Sequence, residues 1–193
     1  MARILFDEAR HEYRVGGRVV PSVTQVLSVI TDFGGVSADV LARAAEFGTH
    51  VHQAVDLDSK GLLDEESLDP ALAPYLAAWR TFLADAGATV LASEVRVYHP
   101  GQHYAGTLDA LLRIRNKVAV VDVKTGVVPR TVGPQLAAYE TAYSASDEHE
   151  HAIRRRLCVQ LTGDGYRVHE CKNPADWSVF QSCLNVWRFK NAA

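Results

Sequence analysis

Two carboxylates and one ammonium at short spacing are the residues of this chain best suited to chemistry. Gly106-Thr-Leu-Asp109 is followed by Val118-Ala-Val-Val-Asp122-Val-Lys124, with twelve residues between the aspartates, the length of a hairpin and its connection. Side chains alternate along a strand, so Asp122 and Lys124 leave one face while Ala119, Val121 and Val123 leave the other. Paired carboxylates beside a lysine suit a hard divalent cation, a neighbouring phosphate and an activated water.

The acidic-x-Lys tripeptide alone is weak, since roughly one match is expected by chance in a chain of this size. Three occur: Asp58-Ser-Lys60, Asp122-Val-Lys124 and Glu170-Cys-Lys172. The first lies in the polar acidic stretch 56–69, read as a solvated loop and linker. The third closes a short strand after Gly163-Asp-Gly165, with no second strand carboxylate at hairpin distance. Only the middle copy ends an apolar, β-rich run with a carboxylate one strand earlier.

Further positions fall where such a site needs them. Glu94, within Ser93-Glu-Val-Arg-Val97, lies on the preceding strand, where it holds a water or a second cation or else simply faces solvent. Gln135 and Tyr139 are four apart on the following helix and share a face. They suit orienting the lysine and contacting phosphate, although Tyr139 alone reads more readily as a core aromatic. His52, in Gly48-Thr-His-Val-His52, offers an imidazole to a cation, while a lone helical histidine is more often structural and His50 points elsewhere. Gly48, two turns into its helix, hints at close backbone approach.

For nucleic-acid contact, Arg113 and Arg115 share the Asp109 face by alternation, with Lys117 and Arg130 nearby; solvated strand ends are the competing reading. Ser22 and Thr24, at a helix start, suit gripping a phosphate. Arg154-Arg-Arg156 follows the acidic run 147–150, which is expected to neutralise it.

Composition bounds these readings. A chain of 193 residues suits one sizeable core, so one domain is expected. The net charge of −3 does not advertise a nucleic-acid binder, but a bound cation neutralises site carboxylates. No run approaches the ~20 apolar residues of a membrane span, and no signal-peptide pattern opens the chain. Cys158, Cys171 and Cys183 are odd in number and widely spaced, which fits free thiols and excludes a four-cysteine zinc or iron–sulfur site.

The positioning elements follow from periodicity. Ile4–Phe6, Tyr13–Val15 and Arg18–Val20 suggest a hairpin arm, and Ser22 caps a short helix. The spacing predicts a loop over 31–37 and a helix over 39–55. A third helix opens at Asp69-Pro70 and stops at Gly87. Strands are expected over 89–98, 105–115 and 118–124, a helix over 131–143, strands over 153–161 and 166–171, and a closing helix over 175–190.

The ordered set Gly48-Thr-x-x-His52, Glu94, Gly106-x-x-Asp109, Asp122-Val-Lys124 and Gln135-x-x-x-Tyr139 resembles the PD-(D/E)XK nuclease superfamily. Within it the chain is similar to the RecB-type branch that includes phage exonucleases. The opening Phe6-Asp…His11-Glu-Tyr13…Gly17…Pro21-Ser-Val-Thr24 is similar to the start of phage-borne members. The resemblance implies an α/β, restriction-endonuclease-like core, a central mixed sheet flanked by helices, as one domain over 1–193. Residues 1–38 would form the arm and first helix, 39–171 the nuclease core and 172–193 the C-terminal helix.

It implies Mg²⁺ or Mn²⁺ held by Asp109, Asp122, the carbonyl of Val123 and His52. Lys124 would position or deprotonate the attacking water, Glu94 assist a water or second metal, and Gln135 and Tyr139 brace Lys124 and the phosphate. The iron–sulfur cysteines of some branch members are missing, and so is the helicase part of RecB-type machines. The expected activity is a Mg²⁺-dependent DNA exonuclease of phage or bacterial recombination, repair or processing, in the cytoplasm of a bacterial or phage-infected cell. A structure-specific endonuclease and an inactive nucleic-acid-binding module of the same fold are the alternatives. Expected partners are single- or double-stranded DNA ends and a single-strand annealing or recombination protein, with homo-oligomerisation by fold analogy only. Lys124→Ala is expected to abolish cleavage with little loss of stability.

Overall fold

Short apolar alternation at the start of the chain builds a three-stranded antiparallel sheet, ordered β1 (Ile4–Asp7), β2 (Glu12–Val15), β3 (Arg18–Val20). Gly16 and Gly17, at φ 57° and 81°, supply the left-handed pair that its tight β2–β3 turn needs. The inward side chains Tyr13, Val15 and Val20 pack with Ala105 of the main body. The computed structural model describes residues 3–8, 10–31, 34–35, 37–146 and 150–192, so the predicted 31–37 loop falls partly outside the described residues.

The helices start and stop where local chemistry dictates. α1 (Val23–Leu27) is only five residues long and opens on a capping box. Gln25 N–H donates to Ser22 Oγ at 3.0 Å, and Ser22 N–H donates back to Gln25 Oε1 at 2.9 Å. α2 (Ala38–Ser59) runs past the expected end at 55. The first acidic-x-Lys copy therefore lies at a helix end rather than in a solvated loop: Lys60 pairs with Asp56 at 2.7 Å, four residues back. α3 (Ala73–Ala86) begins after the predicted Asp69-Pro70 opening, with Pro74 in its first turn. Asp69 instead makes the preceding turn, accepting Ala71 N–H at 2.8 Å. Gly87, at φ 56°, ends α3 as expected.

The main sheet has the order β4 (Ala88–His99), β5 (Tyr104–Ile114), β6 (Lys117–Lys124), β7 (Ile153–Thr162), β8 (Gly165–Glu170). Neighbours are antiparallel except β6 and β7, which are parallel. A parallel pair needs a long crossover, and α4 (Val132–Ser144) lies within it. α5 (Asp176–Asn191) closes the chain. Apolar side chains of α1, α4 and α5 pack on one face, around Leu108, Leu111 and Val120. Those of α2 and α3 pack on the other, around Ala110, Leu112, Val121 and Val123. The chain is thus α/β, with a mixed five-stranded sheet flanked by helices.

One break in the sheet matters most. The β5–β6 ladder ends at Ala110 opposite Val121, although β6 continues to Lys124 and β5 extends back to Tyr104. Beyond that point β5 pairs with β4 and β6 with β7. The sheet forks at Asp109 and Asp122, the next two positions in register.

Candidate active site

The fork leaves backbone groups without a ladder partner, and Asp109 fills part of the gap. Its Oδ2 accepts the Val123 N–H at 2.6 Å, and its Oδ1 lies 3.4 Å from His52 Nδ1 on α2. One carboxylate therefore links both strands of the fork to the helix above them.

Alternation also slips there. Residues two apart on a strand share a face, yet Ala110 packs with the α2/α3 cluster and Leu108 with the α1/α4/α5 cluster. Across the ladder, Ser93 pairs with Ala110 and Val95 with Leu108. Between them Glu94 has φ 50°, a left-handed value inside a strand. The result brings His52, Glu94 and Asp109 together, each offering one ligand atom within 4.8 Å of the others.

Asp122 stands beside this cluster with other partners. Its Oδ1 accepts from Lys124 Nζ at 2.9 Å and from Gln135 Nε2 at 2.7 Å. Its Oδ2 makes a 2.7 Å ion-pair contact with Lys124 Nζ and has no hydrogen-bond donor besides among the described residues. Asp122 is 1 % exposed, so this under-satisfied oxygen is an uncommon feature. Gln135 thus braces Asp122 rather than Lys124. Its amide also donates to Tyr139 Oη at 3.3 Å.

Tyr139 is buried, its ring against Gly106, so its expected contact with phosphate is not favoured by this placement. A Cβ at Gly106 would come within 2.6 Å of Tyr139 Cε1, which explains the glycine in the Gly106-x-x-Asp109 motif. Gly48 differs from its expectation: a Cβ there would meet Thr125 Oγ1 at 3.5 Å, an ordinary contact, so no close backbone approach demands glycine.

The charges are tightly linked. Burial alone would push the His52 imidazole down, but Asp109 outweighs it and raises the pKa to about 9. Burial likewise opposes ionisation of Asp109, yet His52, Lys124 and the Val123 N–H hold it below the usual carboxylate range. Burial, offset only in part by Lys124, and the like charge of Asp109 push Asp122 up. Glu94 rises to about 7 through burial and then Asp109. Burial opposes the Lys124 ammonium, but Asp122 and then Asp109 outweigh it and raise its pKa, so the amine is held charged in this arrangement.

The donor set suits a hard divalent cation: two carboxylates and an imidazole converge, with the under-satisfied Asp122 oxygen next to them. Of the expected ligands, His52 and Asp109 are in the cluster, Glu94 joins them, and Asp122 is adjacent. Val123 enters through its N–H, bonded to Asp109.

The predicted DNA contacts fare differently. Ser22 is 2 % exposed with its hydroxyl committed to the cap, so it is not available to grip a phosphate. Thr24 is exposed and bonded to Ser22 Oγ at 3.0 Å. Arg113 is exposed four residues from Asp109, about 13 Å along a strand. Arg115, at φ 55°, lies farther off in the turn to β6. The alternation that was to place both on the Asp109 face is broken at Asp109 itself. Arg130 is exposed in the loop between Lys124 and α4.

The acidic run expected to neutralise Arg154–Arg156 lies, at 147–149, outside the described residues. Arg155 pairs with Glu170 at 2.9 Å, and Arg156 reaches Glu140 at 3.5 Å and Asp176 at 3.2 Å. One contact escaped sequence reasoning: Ser93 Oγ donates to Asp56 Oδ1 at 2.6 Å. The only signal was the i, i+4 spacing of His52 and Asp56 on α2. Among the described residues, no helix is long and apolar enough to cross a membrane.

No protein-family model matches the chain. No curated protein matches it either. Among solved structures it is similar to an alkaline exonuclease, LHK-Exo, from Laribacter hongkongensis, at 12 % identity and a TM-score of 0.43, covering 88 % of this chain and 86 % of that one. The complex of LHK-Exo with dAMP gives 14 % identity and a TM-score of 0.40, over 89 % and 87 %. The protein SSO0001 gives 18 % and 0.38, over 75 % and 72 %. Likeness this distant carries no functional conclusion, which must come from the site itself.

Proposed function

We propose that this protein is a metal-dependent DNA nuclease, working as an exonuclease on DNA ends. The observation that carries the reading is the convergence, at one fork in the sheet, of Asp109, Glu94 and His52 with the Asp122–Lys124 pair. Mg²⁺ or Mn²⁺ would be held by Asp109, Glu94 and His52, with Asp122 and the Val123 carbonyl completing the oxygen donors. Such a cation supplies Lewis-acid polarisation of the phosphate and lowers the pKa of water.

The protein's own groups do the rest. Lys124, kept charged by Asp122 and Asp109, offers its ammonium to the charge that accumulates on the phosphoryl oxygens. Fixed charges aimed at a developing charge are usually the largest catalytic contribution. Asp122 holds that ammonium in place, and Gln135 holds Asp122 from α4. Arg130 and Thr24 are the remaining exposed candidates for contact with the DNA backbone.

The test is digestion of end-labelled linear and covalently closed circular DNA with Mg²⁺, with Mn²⁺ and with EDTA. Progressive loss of the linear substrate alone, abolished by EDTA and by Asp109→Asn, is the expected result. Cleavage of circles would favour an endonuclease. Absence of cleavage with either metal would refute the catalytic reading.

A further inference from the structure

Glu94 is the feature of the fold that ordinary strand geometry does not explain. Four non-glycine residues among those described have left-handed φ. His11, His103 and Arg115 lie in turns, whereas Glu94 lies inside β4, with paired residues on both sides. A left-handed backbone is disfavoured for an L-residue with a Cβ, so something must hold it there.

The neighbouring residue supplies the hold. Ser93 faces α2, as its ladder partner Ala110 does, and its hydroxyl donates to Asp56 Oδ1 at 2.6 Å. Asp56 is fixed in turn by Lys60, whose ammonium lies 2.7 Å from both carboxylate oxygens. Asp56 and His52 are one turn apart on α2. The same stretch of helix therefore presents His52 to Asp109 and ties down the backbone next to Glu94.

We propose that Asp56 and Ser93 are positioning residues for the cation cluster: their hydrogen bond pins β4 so that Glu94 keeps its left-handed backbone and its carboxylate stays beside His52 and Asp109. The inference rests on the metal-binding reading of that cluster. Without the bond, Glu94 relaxes to extended backbone, alternation along β4 is restored, and its carboxylate leaves the other two. Groups that orient metal ligands without touching the metal typically change affinity by about 10- to 100-fold when removed.

The experiment is calorimetric titration of the metal-free protein with Mn²⁺, comparing wild type, His52→Ala, Ser93→Ala, Ser93→Thr and Asp56→Ala. The expected result is tight binding by wild type and a large loss in His52→Ala. Ser93→Ala and Asp56→Ala, which remove the donor and the acceptor of the bond, are expected to weaken binding about 10-fold, with Ser93→Thr, which keeps the hydroxyl, close to wild type. Thermal unfolding without metal shows whether each variant is folded; should Ser93→Ala fail to fold, Asp56→Ala decides. Wild-type affinity in Ser93→Ala and Asp56→Ala, with His52→Ala impaired, overturns this proposal alone. Wild-type affinity in His52→Ala overturns the cluster reading and this proposal with it.

Discussion

Asp109 accepts the Val123 N–H at 2.6 Å, so a side chain from β5 occupies the place that a ladder carbonyl would take on β6. The fork and the carboxylate depend on one another. Because the same side chain faces His52 on its other oxygen, its charge sets the state of the imidazole.

Replacing Asp109 by asparagine therefore drops the His52 pKa. Burial already pushes the imidazole down, and the Asp109 carboxylate, with a smaller contribution from Asp122, lifts it to about 9. Without the Asp109 charge the pKa falls back toward its ordinary value of 6.5. An NMR titration of the imidazole reads the change directly, and a His52 pKa still near 9 in this variant would exclude Asp109 as its cause.

The site also predicts how stability varies with pH in the absence of metal. His52 and Glu94 both have folded pKa values above their ordinary ones, at about 9 and about 7. Each contributes stability that is full below its unfolded pKa and lost as pH rises through its folded value. The melting temperature of the metal-free protein should therefore fall between about pH 4.5 and 9, first through Glu94 and then through His52. A cation needs the deprotonated ligands, so the stabilisation by Mn²⁺ should grow over the same window. A Mn²⁺-induced shift that is flat with pH would contradict these assignments.

Lys124→Ala has two expected effects. It should lower cleavage by at least about 100-fold, the scale for loss of one aimed charge. It should also destabilise the fold, contrary to what the strand pattern alone suggested. Asp122 is 1 % exposed and Lys124 is its cation, so the variant strands a buried carboxylate, at a cost of up to about 3–5 kcal/mol. Urea unfolding at neutral pH measures it, and protonation of Asp122 should recover much of the loss at lower pH.

Gln135→Ala removes the second donor to Asp122. The cost should be about 1–3 kcal/mol, since the carboxylate oxygen loses a buried partner. Gln135→Glu should be worse, because it places a like charge 2.7 Å from Asp122 Oδ1. A neutral outcome for both by chemical denaturation would remove Gln135 from the network.

Ser22→Ala separates structure from DNA contact. Loss of a capping serine costs about 1 kcal/mol, and the hydroxyl here is spent on Gln25 N–H. Stability should drop while affinity for DNA stays constant. A matching fall in affinity would restore Ser22 to the substrate surface.

Much of the scaffold was legible because periodicity carries it. The strands between 89 and 124 read from alternation, and the helix expected over 131–143 lies where α4 does. The Asp122–Lys124 face was also correct, since β6 keeps regular alternation to its end. The shared face expected for Arg113, Arg115 and Asp109 does not hold, because it extrapolated alternation across Asp109, where it slips. No local pattern announces that slip, because it comes from two strands shifting together. The start of α3 was displaced because Asp69 makes a turn instead of a cap. Partners of Arg155 and Arg156 were sought nearby in sequence but arrive from β8, α4 and α5.

Gly106 and Tyr139 lie 33 positions apart in sequence yet share one volume, with room for a ring or a methyl but not both. These two sites should therefore change in concert. In a library randomised at both, folded clones with alanine at 106 should carry a smaller residue at 139. Clones that keep the phenol should retain glycine.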